Sequence, residues 1–105
     1  MADSMIKQKL PPKIEVAEGK PFKLEVKVDG RPLPDVQWFK DGVPLKPNEH
    51  IKFGIKPDGT VTLEVKEAQP DDTGKYELRA TSPNGQSSAT STDVVVGSKN
   101  IHSNI

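Results

Sequence analysis

The chain reads as an all-β fold, a sandwich of two packed antiparallel sheets, and three observations point there. Apolar residues recur at every second position over several short segments, the period of a strand with one face buried. Ten prolines and eight glycines break the chain every ~8–12 residues, the rhythm of turns in all-β domains. No stretch carries its apolar residues at helical spacing. Each strand so marked has one apolar and one charged face. Only face-to-face packing of two sheets hides all the apolar faces at once.

Pro11-Pro12 opens the domain, and Ile14 and Val16 flank Glu15 in a short first strand that ends at Glu18-Gly19. Phe22, Leu24, Val26 and Val28 then alternate with Lys23, Glu25 and Lys27. The residues from Gly30 to Pro34 turn the chain, Val36 and Trp38 begin the next strand, and Asp41-Gly42 closes it with a hairpin signal. Ile51, Phe53 and Ile55 form one strand, and Val61, Leu63 and Val65 form another beyond the turn at Pro57-Asp58-Gly59. Tyr76, Leu78 and Ala80 follow, and Pro83-Asn84-Gly85 turns into the last strand. There two phases compete: Ala89 and Ser91 align with Asp93, whereas Thr92 aligns with Val94 and Val96. Burying Asp93 unpaired is expensive, so a bulge or phase slip is expected near Ser91. Residues 1–9 are expected to be a flexible leader or linker, 10–97 the folded domain, and 98–105 a flexible polar tail.

At 105 residues the chain has the length of one domain with a single modest core. Fifteen basic residues balance fifteen acidic ones. That balance gives no long-range pull toward nucleic acid or a membrane surface. The chain has no cysteine, so neither a disulfide framework nor a cysteine zinc site is available. No segment approaches the ~18 apolar residues of a membrane-spanning helix. The first residues carry no apolar core of a secretory signal, and none of Asn48, Asn84, Asn100 and Asn104 stands in a glycosylation sequon. The absence of a sequon leans toward the cytosol, whereas a fragment of a longer protein would lack a signal in any case.

Val26, then Trp38, then Asp72-x-Gly74-x-Tyr76-x-Leu78 stand in a fixed order, together with Gly30-x-Pro32-x-Pro34, Trp38-Phe39-Lys40-Asp41-Gly42 and Ala80-x-x-x-Asn84-Gly85. From about Pro11 to Val96 this pattern resembles the intermediate-set (I-set) immunoglobulin domains of the giant muscle proteins, the titin, twitchin, projectin and obscurin group. The resemblance implies an immunoglobulin-like sandwich in which Trp38 packs across Val26 and Leu78, the two positions where the inter-sheet disulfide of the fold would stand. It implies a tyrosine corner at Tyr76 and a turn-capping role for Asp72. With Leu63, these residues form the expected core. A reducing cytosol would leave a cysteine pair unjoined, and Val26 with Leu78 supply the apolar volume instead.

Converging chemistry is absent from the sequence. His50 and His102 are the only histidines, too few for a triad or a histidine metal site. Asp71-Asp72 reads as a turn cap rather than a carboxylate pair. Asp41-Gly42 and Asp58-Gly59 read as hairpins, since the alternating oxygen ligands of a calcium loop do not recur around them. No enzyme activity, cofactor or metal is expected. The expected function is a noncatalytic structural and protein-interaction module of a large cytoskeletal or sarcomeric protein, placed in the cytoplasm. Its partners would be immunoglobulin-like or fibronectin-like domains in tandem, and filament proteins associated with actin or myosin. The rival is an extracellular adhesion or receptor domain of the same fold. The expected partner surface comprises the loops holding Pro32, Pro34, Pro83 and Asn84, at one end of the sandwich. Outward-facing Lys23, Lys27 and Phe39 complete it.

Overall fold

Alternation is strictest from Phe22 to Val28, and there the inside–outside pattern is unbroken: Phe22, Leu24, Val26 and Val28 are buried and the residues between them exposed. The computed structural model describes residues 5–98. Among them the strands are β1 (Ile6–Gln8), β2 (Lys13–Ala17), β3 (Phe22–Val28), β4 (Asp35–Lys40), β5 (Val43–Pro44), β6 (Ile51–Ile55), β7 (Thr60–Val65), β8 (Gly74–Thr81) and β9 (Ser87–Gly97). A single 3-10 turn at Pro70–Asp72 interrupts them. One sheet has the order β1-β3-β7-β6 and the other β2-β9-β8-β4-β5. All neighbouring strands run antiparallel except β2 and β9, which are parallel from Lys13↔Asp93 to Ala17↔Gly97.

The core lies between the sheets. Val26, Leu63, Tyr76 and Leu78 have no exposed surface and Trp38 is 2% exposed. Val26 sits on β3 and Leu78 on β8, one on each sheet, and Trp38 is the cross-strand partner of Leu78. The ring of Phe22 meets Tyr76 edge to face, with centroids 6.0 Å apart.

Two turns explain their sequences. Asp41 and Gly42 both adopt positive φ, 51° and 83°, the geometry of the tight hairpin whose twist matches its strands. Gly59 has φ 96°, and a Cβ there would lie 2.1 Å from the Val28 carbonyl oxygen. The turn between β6 and β7 thus comes too close to β3 for any side chain. The Val28 N–H donates to the Gly59 carbonyl at 2.8 Å.

Three expectations need correction. Within the supposed leader, Ile6 is 5% exposed and β1 pairs with β3. Three residues with one apolar side chain are too short to show a period, so this strand was invisible to pattern reading. No bulge occurs near Ser91: β8 and β9 stay in register from Gly74↔Val94 to Thr81↔Ser87. Thr90, Thr92 and Val94 face inward and Asp93 is exposed. Buried threonine resolves the conflict, and the Leu10 N–H donates to Thr90 Oγ1 at 3.0 Å. The third correction concerns the surface. Lys23 and Lys27 stand on β3 and Phe39 on β4, so they belong to different sheets and share no face. The expected tail beyond Ser98, and residues 1–4 of the expected leader, lie outside the described residues.

Candidate protein-docking site

The loop between β3 and β4 and the turn between β8 and β9 meet at one end of the sandwich, the end where Met5 leads into β1. Together they form a cleft of about 350 Å³ lined by residues that include Arg31, Pro32, Pro34, Pro83 and Asn84. The structure therefore brings together the four loop residues singled out from the sequence. Pro32, Pro83 and Asn84 are exposed, but Pro34 is buried and supports the cleft from below. That corrects its place among outward contacts. A proline has no N–H to satisfy, which lets it sit under a loop without a partner.

Local hydrogen bonds hold this N-terminal pole. Ser82 N–H donates to Gln86 O at 2.8 Å and Gly85 N–H to Ser82 O at 3.0 Å. Gln86 N–H donates to Ser82 Oγ at 3.1 Å, and that hydroxyl donates to Asn84 Oδ1. Asp29 N–H donates to Met5 O at 2.8 Å, and Lys7 Nζ lies 3.8 Å from Asp29 Oδ2. The cleft sets three prolines and Met5 beside the polar Arg31, Ser82, Asn84 and Gln86, the mixture of apolar and polar groups that protein interfaces use.

The opposite, C-terminal pole is a hydrogen-bonded knot. Tyr76 OH donates to the Asp72 carbonyl at 2.7 Å. Burial first, and the nearby Asp72, Asp41 and Asp71 carboxylates after it, push the phenol pKa well above the ordinary tyrosine range. Asp72 is 5% exposed, and its Oδ2 accepts from Gln69 N–H at 2.7 Å and lies 2.8 Å from His50 Nε2. The His50 contact spans 22 residues, and no local signal in the sequence announces it. Asp41 Oδ1 accepts from Lys75 N–H at 2.9 Å.

Phe39 is half-buried. The Arg79 guanidinium stacks 3.8 Å from its ring centroid and is tied in turn to Glu77 at 3.1 Å. The ring is thus covered by its own neighbour across β4 and β8. Among the described residues no group of three or more His, Asp or Glu side chains could hold a metal ion, and no helix is long and apolar enough to cross a membrane.

Comparison with known proteins places this geometry. Residues 4–95 match the Immunoglobulin I-set domain family. The chain is 43% identical over 72 residues to the muscle M-line assembly protein unc-89 of Caenorhabditis elegans, which covers 69% of this chain but only 1% of that protein. The titin M3 domain superposes with a TM-score of 0.81 at 31% identity, covering 89% of this chain and 95% of that one. A chain of the complex between titin M10 and an obscurin-like 1 immunoglobulin domain gives 0.81 at 28% identity, covering 89% and 92%. The two packed β-sheets superpose on those of the titin M3 domain, and the chain belongs to the immunoglobulin I-set domain family.

Proposed function

We propose that this domain is a noncatalytic spacing and docking module of a larger muscle cytoskeletal protein, located in the cytoplasm at the sarcomere or cytoskeleton. It would join neighbouring immunoglobulin-like or fibronectin-like domains in tandem through its poles. One observation carries the reading. Met5, leading into β1, lines the cleft at one pole, and β9 runs the length of the sandwich to end at Gly97 on the other. A preceding domain would sit against Pro32, Pro83 and Asn84. The obscurin-like partner of the titin M10 complex supports immunoglobulin domains as a partner class.

The test uses this domain with its natural neighbours. Residues 83–85 are replaced by a Gly-Ser-Gly turn, or Pro32 and Asn84 by serine, and interdomain orientation is read by small-angle scattering. A changed angle with an unchanged melting temperature supports the reading. An unchanged angle in both variants removes this pole as the working surface.

A second reading has its own observation. The outer face of the β1-β3-β7-β6 sheet carries Lys7, Lys23, Lys27 and Lys52 against Glu25 and Glu64, a basic excess suited to an acidic actin- or myosin-associated filament. Reversing Lys23 and Lys27 to glutamate would abolish salt-sensitive cosedimentation if this face is used.

A further inference from the structure

Among the described residues β6 forms an open edge of the four-stranded sheet, with β7 as its one neighbour. Lys56 N–H donates to Thr60 O at 2.9 Å. By the alternation of an antiparallel ladder, Lys52 and Gly54 likewise turn their backbone groups toward β7. Ile51, Phe53 and Ile55 turn theirs outward. Asn48 covers Ile51 on both sides: its Oδ1 accepts from Ile51 N–H at 2.9 Å, and its N–H donates to Ile51 O at 2.9 Å. No described group covers the outward N–H and C=O of Phe53 and Ile55.

Beneath the same edge lies an apolar trough of about 410 Å³ between β6 and the segment after β5. Val36, Leu45, Phe53, Ile55 and Val61 line it with the Trp38 indole, whose buried Nε1–H has no hydrogen-bond partner among the described residues. Ile55 is in phase with the buried Ile51, yet it is 56% exposed. An unpaired backbone row and an apolar trough thus coincide at one place.

We infer that β6 accepts an added strand: an extended partner segment alternating apolar and acidic residues, paired to Phe53 and Ile55. Apolar positions of that segment enter the trough. The acidic ones lie on the outer side beside Lys52 and Lys56, with Gly54 leaving a flat place between them. Lys46 stands on the rim of the trough. Lys46, Lys52 and Lys56 are exposed, and none is in an ion pair. Glu64 is the cross-strand neighbour of Lys52, and Glu49 and Asp58 lie just outside the two ends of β6, so along the strand itself the charges are lysines and the carboxylates stand at its ends and on β7. The same charges argue against a second copy of this chain. Two β6 edges paired together would set lysines against lysines.

The probe is a synthetic nine-residue peptide alternating valine with glutamate, titrated into the isotopically labelled 105-residue chain. Amide shifts are expected to move along residues 51–56 and 43–47, with slowed hydrogen exchange at Phe53 and Ile55. Ile55→Pro removes an N–H that has no partner in the domain, so the fold is kept while affinity drops about tenfold. Ile55→Asp leaves the backbone intact and puts a charge in the trough, with the same expected loss. A peptide N-methylated at alternate positions, unable to pair, tests the ladder without altering the protein and is expected not to bind. Lys52→Glu with Lys56→Glu is expected to transfer preference to a valine–lysine peptide. The inference is overturned by shifts centred on another edge, by equal binding of the N-methylated peptide, by equal binding of the lysine peptide to the native chain, or by self-association through β6. None of these variants alters a residue lining the N-terminal cleft, so the scattering test stands or fails separately.

Discussion

At the C-terminal pole several side-chain bonds join segments far apart in the chain; at the N-terminal pole those of the turn between β8 and β9 stay within it, while Met5 N–H reaches Ser88 Oγ at 3.4 Å and Lys7 reaches Asp29. Lys75 N–H reaches Asp41 across 34 residues, His50 reaches Asp72 across 22, and Val96 N–H reaches Thr73 Oγ1 across 23. The Ser82, Asn84 and Gln86 bonds span four residues or fewer. Long-range bonds close large loops and lock strands to one another. Bonds within a turn only shape that turn. The long-range bonds commit the C-terminal pole to stability, whereas the turn between β8 and β9 is shaped by its own residues.

Asp72→Ala gives the largest effect that could break this contrast. It leaves the Gln69 N–H and His50 without their acceptor, at a cost of about 2–3 kcal/mol in chemical denaturation. A loss under half a kilocalorie per mole would remove the stability role of the pole. Gly59→Ala, under the N-terminal cleft, is expected to cost about 2 kcal/mol, because the backbone must shift away from Val28. A neutral result would mean the turn can lift.

Tyr76→Phe is expected to cost about 1 kcal/mol by leaving the Asp72 carbonyl unpaired. It also changes the alkaline limb. A phenol whose pKa is raised by folding contributes stability that is present below the ordinary value of about 10 and lost as pH rises through its folded value. The phenylalanine variant should lack that fall.

Pro83→Ser and Asn84→Ser should each shift stability by less than about 0.5 kcal/mol while altering docking. A larger loss would make this pole structural as well. The smallest effect concerns Asp58. The Thr60 hydroxyl first and its backbone N–H second hold the Asp58 carboxyl below the ordinary range. A depressed carboxyl contributes stability above the ordinary value of about 4 and loses it as pH falls through the folded value. Asp58→Asn should flatten that acid limb in a thermal-melt series.

Pattern reading went furthest where side chains alternate without ambiguity. Phe22 to Val28 and the hairpin glycines were legible because local chemistry decides them, whereas the tyrosine corner at Tyr76 and the cap at Asp72 came from the family resemblance. Threonine reads as polar, yet Thr90 and Thr92 are buried, so the phase of β9 was not legible. Sequence phase told that Lys23 and Phe39 face outward, but not that they lie on opposite sheets, since sheet membership depends on distant pairing. Arg79 over Phe39 is a cross-strand contact of the same kind. Pro32, Pro83 and Asn84 were found as turn residues, and their convergence follows from the topology. The open β6 edge left no mark in the chain, because a strand becomes an edge only when nothing else pairs with it.

The parallel pairing of β2 with β9 has a mechanical consequence. A pull on the chain from both poles draws β2 one way and β9 the other along their common axis. The hydrogen bonds between Lys13–Ala17 and the stretch from Asp93 to Gly97 then lie across the load and must slide together, where a hairpin would unzip bond by bond. Resistance to tension is thereby concentrated in one short lateral seam. Past its yield no covalent bridge halts the extension, because the chain has no cysteine, and the whole module can pay out to its full contour length of roughly 3.5 Å per residue.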